Sequence, residues 1–297
     1  GQGLSPRPRE VRELLLVRPH NELGDFILTL PALEVFRKIF SKARITLVAG
    51  PKHAQLTCLS MVDRFLILEK GIFSFMNILS GIRNPKPDLA VCLSTVSIST
   101  TSTLLTSFSG ASVTAGRVRG TVTAQEGLRP FLDILVPPPV PGTHQSELGL
   151  DFLEALGHPR GGTAKLPLLE IPEDIEFRTR ELFREKGLER RAPLVYLHVG
   201  AGKPANRWPS LLWARLSDLL SAELNAKILI NISPGDENQI QKVLSQTRTP
   251  PTVTPKAGLL ASAAQAAACH LFIGNDTGML HVAAAFGVPT IGLYGPT

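Results

Sequence analysis

The chain has 297 residues, with 31 Lys and Arg against 25 Asp and Glu, and is 43% hydrophobic and 19% charged. That length allows one or two domains with a large core, and no apolar run reaches the about 18 residues of a spanning helix, so a soluble protein is expected. Cys58, Cys92 and Cys269 are odd in number and far apart, and the seven histidines show no ligand spacing. This pattern gives no support to a disulfide framework or a resident metal, and a reducing cytosol fits it.

The charge is uneven along the chain. Residues 1–150 carry a net +5 and residues 151–297 a net +1. A basic first half favours an anionic partner such as a phosphorylated sugar or an acidic membrane surface; the plain alternative is an ordinary soluble surface. No interleaving of cations with aromatics suggests nucleic-acid binding.

In chain order, residues 1–8 read as a leader at a chain boundary, and the first strand is the apolar run Glu13–Arg18. A turn at Gly24-Asp25 and a helix over 26–40 follow, then a strand Arg44–Ala49, a helix over 53–59, a strand over 65–68, a helix over 73–79 and a strand over 88–93. Strands alternating with helices imply a parallel sheet, and near-continuous apolar strands imply helices on both faces. The Ser/Thr-rich stretch 94–109 is read as a loop and a helix with small packing residues.

From Val136 to Pro172 the chain is rich in Pro and Gly around a short helix over 144–156, which marks a seam between domains 1–160 and 161–297. The alternation then restarts with helices over 173–186, 210–224, 237–246 and 259–268 and strands over 194–199, 226–232 and 270–273. Two Rossmann-like halves facing a cleft are expected. The end, Tyr294-Gly295-Pro296-Thr297, directly follows an apolar strand-like run and reads as truncated.

Three motifs fall where strands end, which is where open parallel sheets bind ligands. Asn21-Glu-Leu-Gly-Asp25 offers Asp25 as a general base, with Glu22 as the competing carboxylate and a helix N-cap as the alternative role. His198-Val-Gly-Ala-Gly-Lys-Pro-Ala-Asn-Arg-Trp-Pro209 places Gly200 and Gly202 for close backbone approach, and the cations of Lys203 and Arg207 match a pyrophosphate; a tight turn with two solvated charges and a packed Trp is the alternative. Gly274-Asn-Asp-Thr-Gly-Met-Leu-His281 opens a helix, so Asp276, Thr277 and Gly278 suit a diphosphate or ribose cradle, or else a simple N-cap. Arg117 and Arg119 follow a strand and suit an acidic ligand, or lie on a solvated loop.

Together these motifs resemble glycosyltransferase family 9, the ADP-heptose:lipopolysaccharide heptosyltransferases of the GT-B fold. The resemblance rests on Gly24-Asp25 with Thr29-Leu-Pro-Ala-Leu33, on His198-Val-Gly-Ala201 with Arg207-Trp-Pro209, and on the block from Gly274 to Thr297. It implies a two-domain inverting transferase that moves a sugar, heptose from ADP-heptose first of all, to an anionic lipid-linked oligosaccharide of the lipopolysaccharide core. It needs neither metal nor cofactor, and works in the cytoplasm with access to the inner membrane surface.

By the same likeness Asp25 is the base. It also assigns Asp276, Thr277, Gly278, His281 and Glu237 to the donor; from the residues themselves, Gly200, Ala201, Lys203 and Arg207 are expected on the donor side, and Asn21, Arg117 and Arg119 toward the acceptor. Asn206 stands where family members often carry Lys, which leaves the charge opposite the diphosphate to Lys203 or Arg207. The rival readings are a nucleotide-sugar epimerase of related fold and a non-catalytic sugar-nucleotide-binding protein.

Overall fold

The computed structural model describes residues 10–56, 60–95, 99–117, 131–160, 165–188, 192–233 and 235–295. The chain divides into two compact units, Gly1–Pro167 and Leu168–Thr297, so the division comes after Pro167 rather than after residue 160.

The first unit is built on six parallel strands, β1 (Glu13–Arg18), β2 (Arg44–Ala49), β3 (Arg64–Ile67), β4 (Leu89–Cys92), β5 (Val113–Gly116) and β6 (Ile134–Leu135), in the order β3-β2-β1-β4-β5-β6. β1 is central, with Leu16 opposite Leu47 of β2 on one side and Val91 of β4 on the other. Leu14, Leu15, Leu16 and Val17 are all buried. Both faces of this strand are covered, which is why its sequence is a continuous apolar run rather than an alternation.

The helix expected over 26–40 is two helices, α1 (Leu23–Ile27) and α2 (Leu30–Ile39). Pro31 has no N–H to continue the first helix and is tolerated only in the first turn of the second. Asp25 therefore lies inside α1 rather than in a turn, and the N-cap position belongs to Glu22. The helix expected over 53–59 is a 3-10 turn, Pro51–Leu56, with 57–59 outside the described residues. α3 (Ile72–Ile82) leads into β4.

The Ser/Thr-rich stretch forms α4 (Thr100–Ser107). The Ser99 hydroxyl caps it by accepting from the Ser102 amide at 3.2 Å, and the Thr103 and Thr106 hydroxyls donate to carbonyls four residues back. Spending the hydroxyls on the helix's own backbone lets these polar residues be buried. The short helix expected over 144–156 is a 3-10 turn, Gln145–Glu147, followed by α5 (Leu150–Ala155).

The second unit carries α6 (Glu173–Glu185), β7 (Leu194–His198), α7 (Ser210–Leu224), β8 (Lys227–Asn231), α8 (Glu237–Leu244), β9 (Thr252–Thr254), α9 (Leu259–Ala267), β10 (Leu271–Asn275), α10 (Gly278–Ala285) and β11 (Thr290–Leu293). Its parallel strands run β11-β10-β7-β8-β9, the same winding as in the first unit. Tyr196 and Phe272 stack at 5.1 Å in its core. α7 stops where Asn225 takes a left-handed φ of 49°, a conformation that Asn tolerates better than most residues.

β9, absent from the sequence reading, is held by a buried polar network. Asn231 Nδ2 donates to Thr254 Oγ1 at 3.1 Å, Thr254 Oγ1 to Gln265 Oε1 at 2.6 Å, and Ser262 Oγ to Asn231 Oδ1 at 3.0 Å. Full pairing of such groups fixes a three-residue edge strand that propensity alone would leave undefined.

Each winding reverses direction once, between β1 and β4 and between β7 and β10. Beyond the carboxyl ends of the strands at such switch points lies the crevice in which doubly wound sheets bind ligands. Among the described residues no helix is long and apolar enough to cross a membrane.

Candidate functional site

At the switch point of the second unit, the segments after β7 and β10 are sewn together by one residue that the sequence reading passed over. Asn275, fully buried, donates from Nδ2 to the Val199 carbonyl at 2.9 Å and to the Gly200 carbonyl at 3.1 Å, and its Oδ1 accepts from the Trp208 amide at 3.1 Å. Gly200 and Ala201 are thereby set beside Asp276, Thr277 and Gly278. Asp276 is tied in turn to Asn206, whose Nδ2 donates to Asp276 Oδ2 at 3.4 Å.

α10 begins at Gly278 behind Thr277, which is extended at φ −144° and makes no side-chain cap. The N-cap alternative for Asp276 or Thr277 thus has no hydrogen bond behind it, and the Thr277 hydroxyl oxygen is buried with no partner. First-turn amides of a helix have no intrahelical acceptor, so this end offers N–H donors and the positive end of the helix dipole. His281 lies one turn further along α10 and is half-buried.

A second carboxylate, Asp236, the neighbour of Glu237, lies against Gly200. Asp236 is buried at the start of α8, and a Cβ on Gly200 would stand 1.8 Å from its Oδ2, so only glycine allows the two to meet. Burial pushes the Asp236 carboxyl up from its ordinary value, Arg207 opposes that shift and Glu237 adds to it. Arg207 donates from Nε to the Ala201 carbonyl at 2.9 Å and brings Nη2 to 4.0 Å from Asp236 Oδ1. Lys203 and Glu237 are exposed on the same rim, and Pro234 lies outside the described residues.

In the first unit the Asp25 carboxylate has two neighbours, one near in sequence and one remote. Its Oδ1 accepts from Gln145 Nε2 at 2.7 Å, a residue 120 positions away. Its Oδ2 lies 3.9 Å from Nη2 of Arg18, the buried last residue of β1. Burial lowers the Arg18 pKa from its ordinary value, and Asp25 and Glu22 offset part of that. One carboxylate oxygen is fixed and the other faces a buried cation, a geometry that orients Asp25 and leaves Oδ2 able to take a proton. Neither Gln145 nor Arg18 was legible as a partner in the sequence.

Along the carboxyl ends of the strands runs an open cavity of about 810 Å³, lined by His20, Asn21 and Glu22 in the loop that leads to Asp25, by Lys70 after β3 and by Ser99 and Thr101 after β4. Asn21 sits at its edge and accepts from the Lys52 amide at 3.4 Å, close against Gly50.

Arg117 is a correction to the sequence reading. It is 2% exposed, with Nε donating to the Pro137 carbonyl, Nη1 to the Thr95 carbonyl and Nη2 to Asp151 Oδ2 at 2.6 Å, while its guanidinium lies over the Phe152 ring. Every branch of the fork is engaged inside the unit, so Arg117 has nothing left for an acceptor. Arg119 lies outside the described residues.

Two buried histidines, His53 after β2 and His198 at the end of β7, make the stability of each unit depend on pH. Burial, with the charge of Arg18 second, lowers His53 to about 4, and burial lowers His198 to about 4. In the unfolded chain each titrates near 6.5, so protons bind preferentially to the unfolded state between those values, and stability is lost as pH is lowered across that window, by about 3 kcal/mol per group at the acid end. The melting temperature should therefore drop as pH is lowered from 7 to 4.5. A His53→Phe protein, which keeps the stack on Phe26, should show a shallower drop; equal slopes would contradict the assignment.

Residues 153–297 match the model of glycosyltransferase family 9 (heptosyltransferase). Lipooligosaccharide heptosyltransferase 2 of Haemophilus influenzae is 34% identical over 138 residues, which are 44% of this chain and 40% of that protein. The chain spans less than half the length of the curated relatives it matches. The crystal structure of the glycosyl transferase family 9 from Veillonella parvula superposes with a TM-score of 0.86 at 27% identity, over 96% of this chain and 82% of that one. For the Escherichia coli ADP-heptose lps heptosyltransferase II the TM-score is 0.74 at 21% identity, over 95% and 85%, a likeness of fold. The two parallel α/β units are those of the GT-B class. Both motif segments of the second unit lie inside the stretch 153–297 that matches glycosyltransferase family 9.

Proposed function

We propose that this protein is an inverting glycosyltransferase that moves a sugar from a nucleotide-diphosphate donor, with ADP-heptose the favoured donor, to a hydroxyl of an anionic, lipid-linked oligosaccharide of the lipopolysaccharide core type. The observation that carries the reading is the stitching of the Val199-Gly200 turn to the Asn275–Gly278 turn by Asn275, at the open end of α10. Such a site suits a diphosphate. The names of the relatives support the sugar and acceptor classes.

The second unit is then the donor side. Amides at the start of α10, with Lys203 and Arg207, take up the charge that develops on the leaving diphosphate, a role a divalent ion fills in other transferases. Asp276, His281 and the carboxylates of Asp236 and Glu237 are assigned to the donor's sugar and nucleoside hydroxyls.

The first unit is the acceptor side, at the pocket lined by His20, Asn21 and Glu22. Asp25 Oδ2 takes the proton of the acceptor hydroxyl as that oxygen bonds to the anomeric carbon and the bond from this carbon to the diphosphate oxygen breaks. One displacement inverts the anomeric centre. Gln145 holds the carboxylate, and Asn21 frames the pocket.

Hydrogen exchange with and without ADP tests the donor assignment. ADP should protect amides at 200–203 and 274–281 and leave residues 10–117 nearly unchanged, because a ligand suppresses the openings that break its own contacts. Equal protection of both units would contradict it.

A further inference from the structure

α3 has the sequence Ile72-Phe-Ser-Phe-Met-Asn-Ile-Leu-Ser-Gly-Ile82, with no charged residue. Its inner face packs Ile78, Leu79 and Ile82 into the unit. A surface helix ordinarily sets polar side chains on the opposite face. Here the outward positions of the first two turns are Ile72, Phe73 and Met76, at 66%, 84% and 54% exposure, with the small polar Asn77 and Ser80 behind them. Isolated exposed apolar residues are unremarkable, but three on adjoining turns of one uncharged helix form a patch.

Charge flanks this patch on both sides. Lys70 stands before the helix and Arg83 and Lys86 after it, all exposed, with Glu69 the acid next to Lys70. An apolar outer face bracketed by cations is the pattern of a helix lying in the plane of an anionic lipid interface. A protein partner of matching chemistry would need an acidic rim around an apolar centre; a bilayer supplies both over any orientation of the helix. The pocket lined by His20, Asn21 and Glu22 is bordered by Ile72 and Phe75 of this same helix.

We propose that the outer face of α3 docks on an anionic phospholipid bilayer, with Ile72, Phe73 and Met76 entering the interfacial zone and Lys70, Arg83 and Lys86 at the headgroups. Docked in this way, the mouth of the pocket lies at the height where a lipid-linked acceptor presents its sugars. That consequence rests on the proposed function; the docking itself does not.

The test is vesicle flotation with phosphatidylethanolamine–phosphatidylglycerol vesicles containing neither donor nor acceptor, so the result is independent of any turnover. The full chain should float with these vesicles, and at least tenfold less with vesicles of phosphatidylcholine. Phe73→Ser with Met76→Ser should lower the bound fraction about tenfold while leaving the melting temperature unchanged, because both side chains are exposed. The same double variant should keep its rate on a lipid-free acceptor and lose it on acceptor embedded in vesicles.

In Phe73→Trp, measured against the parent chain with its own Trp208 and Trp213, the added indole emission should shift to the blue on anionic vesicles and be quenched by brominated acyl chains. Absence of flotation, undiminished flotation of the double variant, or an unshifted emission from the indole added in Phe73→Trp would each overturn the proposal. If flotation succeeds and no acceptor is glycosylated, the transferase reading fails and the docking surface stands.

Discussion

Replacing Asp25 by Asn should lower kcat by about 10²- to 10⁴-fold, the usual contribution of a positioned general base, with little change in the KM of the donor. The expectation follows from the geometry. Asp25 Oδ1 is held by Gln145 and Oδ2 faces Arg18, so the amide of Asn keeps the shape of the side chain but removes the proton acceptor. Gln145→Leu should retain the base and lose its alignment, with a kcat loss of about tenfold or more, since small displacements of a reacting group are costly. Near-native turnover of Asp25→Asn with both substrates saturating would remove Asp25 from the role, and Glu22 would be the next carboxylate to examine.

The second large effect is on stability. Arg117→Leu should destabilise the first unit by about 3 kcal/mol, because it leaves Asp151 short of one partner and strands two carbonyls in the interior. In a unit of this size that corresponds to a fall of roughly 6–12 °C in melting temperature. Arg160, which also pairs with Asp151 at 2.6 Å but is 40% exposed, should compensate only in part. Adding Asp151→Leu should restore only part of the loss, since it removes the carboxylate that is short of a partner but leaves the two carbonyls without a donor. Acceptor KM measured on the folded fraction should be unchanged. A native melting temperature with a raised acceptor KM would instead place Arg117 at the ligand.

These two residues show what could and could not be read from the chain. The central strands were legible because burial on both faces demands an unbroken apolar run, as at Leu14 to Val17, and α7 because Pro209 and Asn225 bound it. Asp25 was visible as a carboxylate just past a strand. Its partner Gln145 was not, because that contact joins segments 120 residues apart and no local pattern marks it.

Asn275 lay inside a quoted motif, yet its task, bridging two turns with one buried amide, depends on which way the end of β10 faces. Asp236 and Glu237 are neighbours of the same charge. Only the start of α8 decides that the first is turned in against Gly200 and the second out. Arg117, placed between a glycine and a valine after a short strand, had the look of a surface loop; the acceptors that draw it inward come from Thr95, Pro137 and Asp151, all remote in sequence.

The proposed transfer of a sugar from a nucleotide donor to an acceptor can be followed by measuring ADP release and the fate of the sugar from ADP-heptose, with and without a lipid A core oligosaccharide. ADP release should depend on the acceptor and match the glycosylated product mole for mole, with an inverted anomeric centre. Donor turnover in the absence of acceptor, as an epimerase would give, or ADP binding with no release in either case, as a binding protein would give, would contradict it.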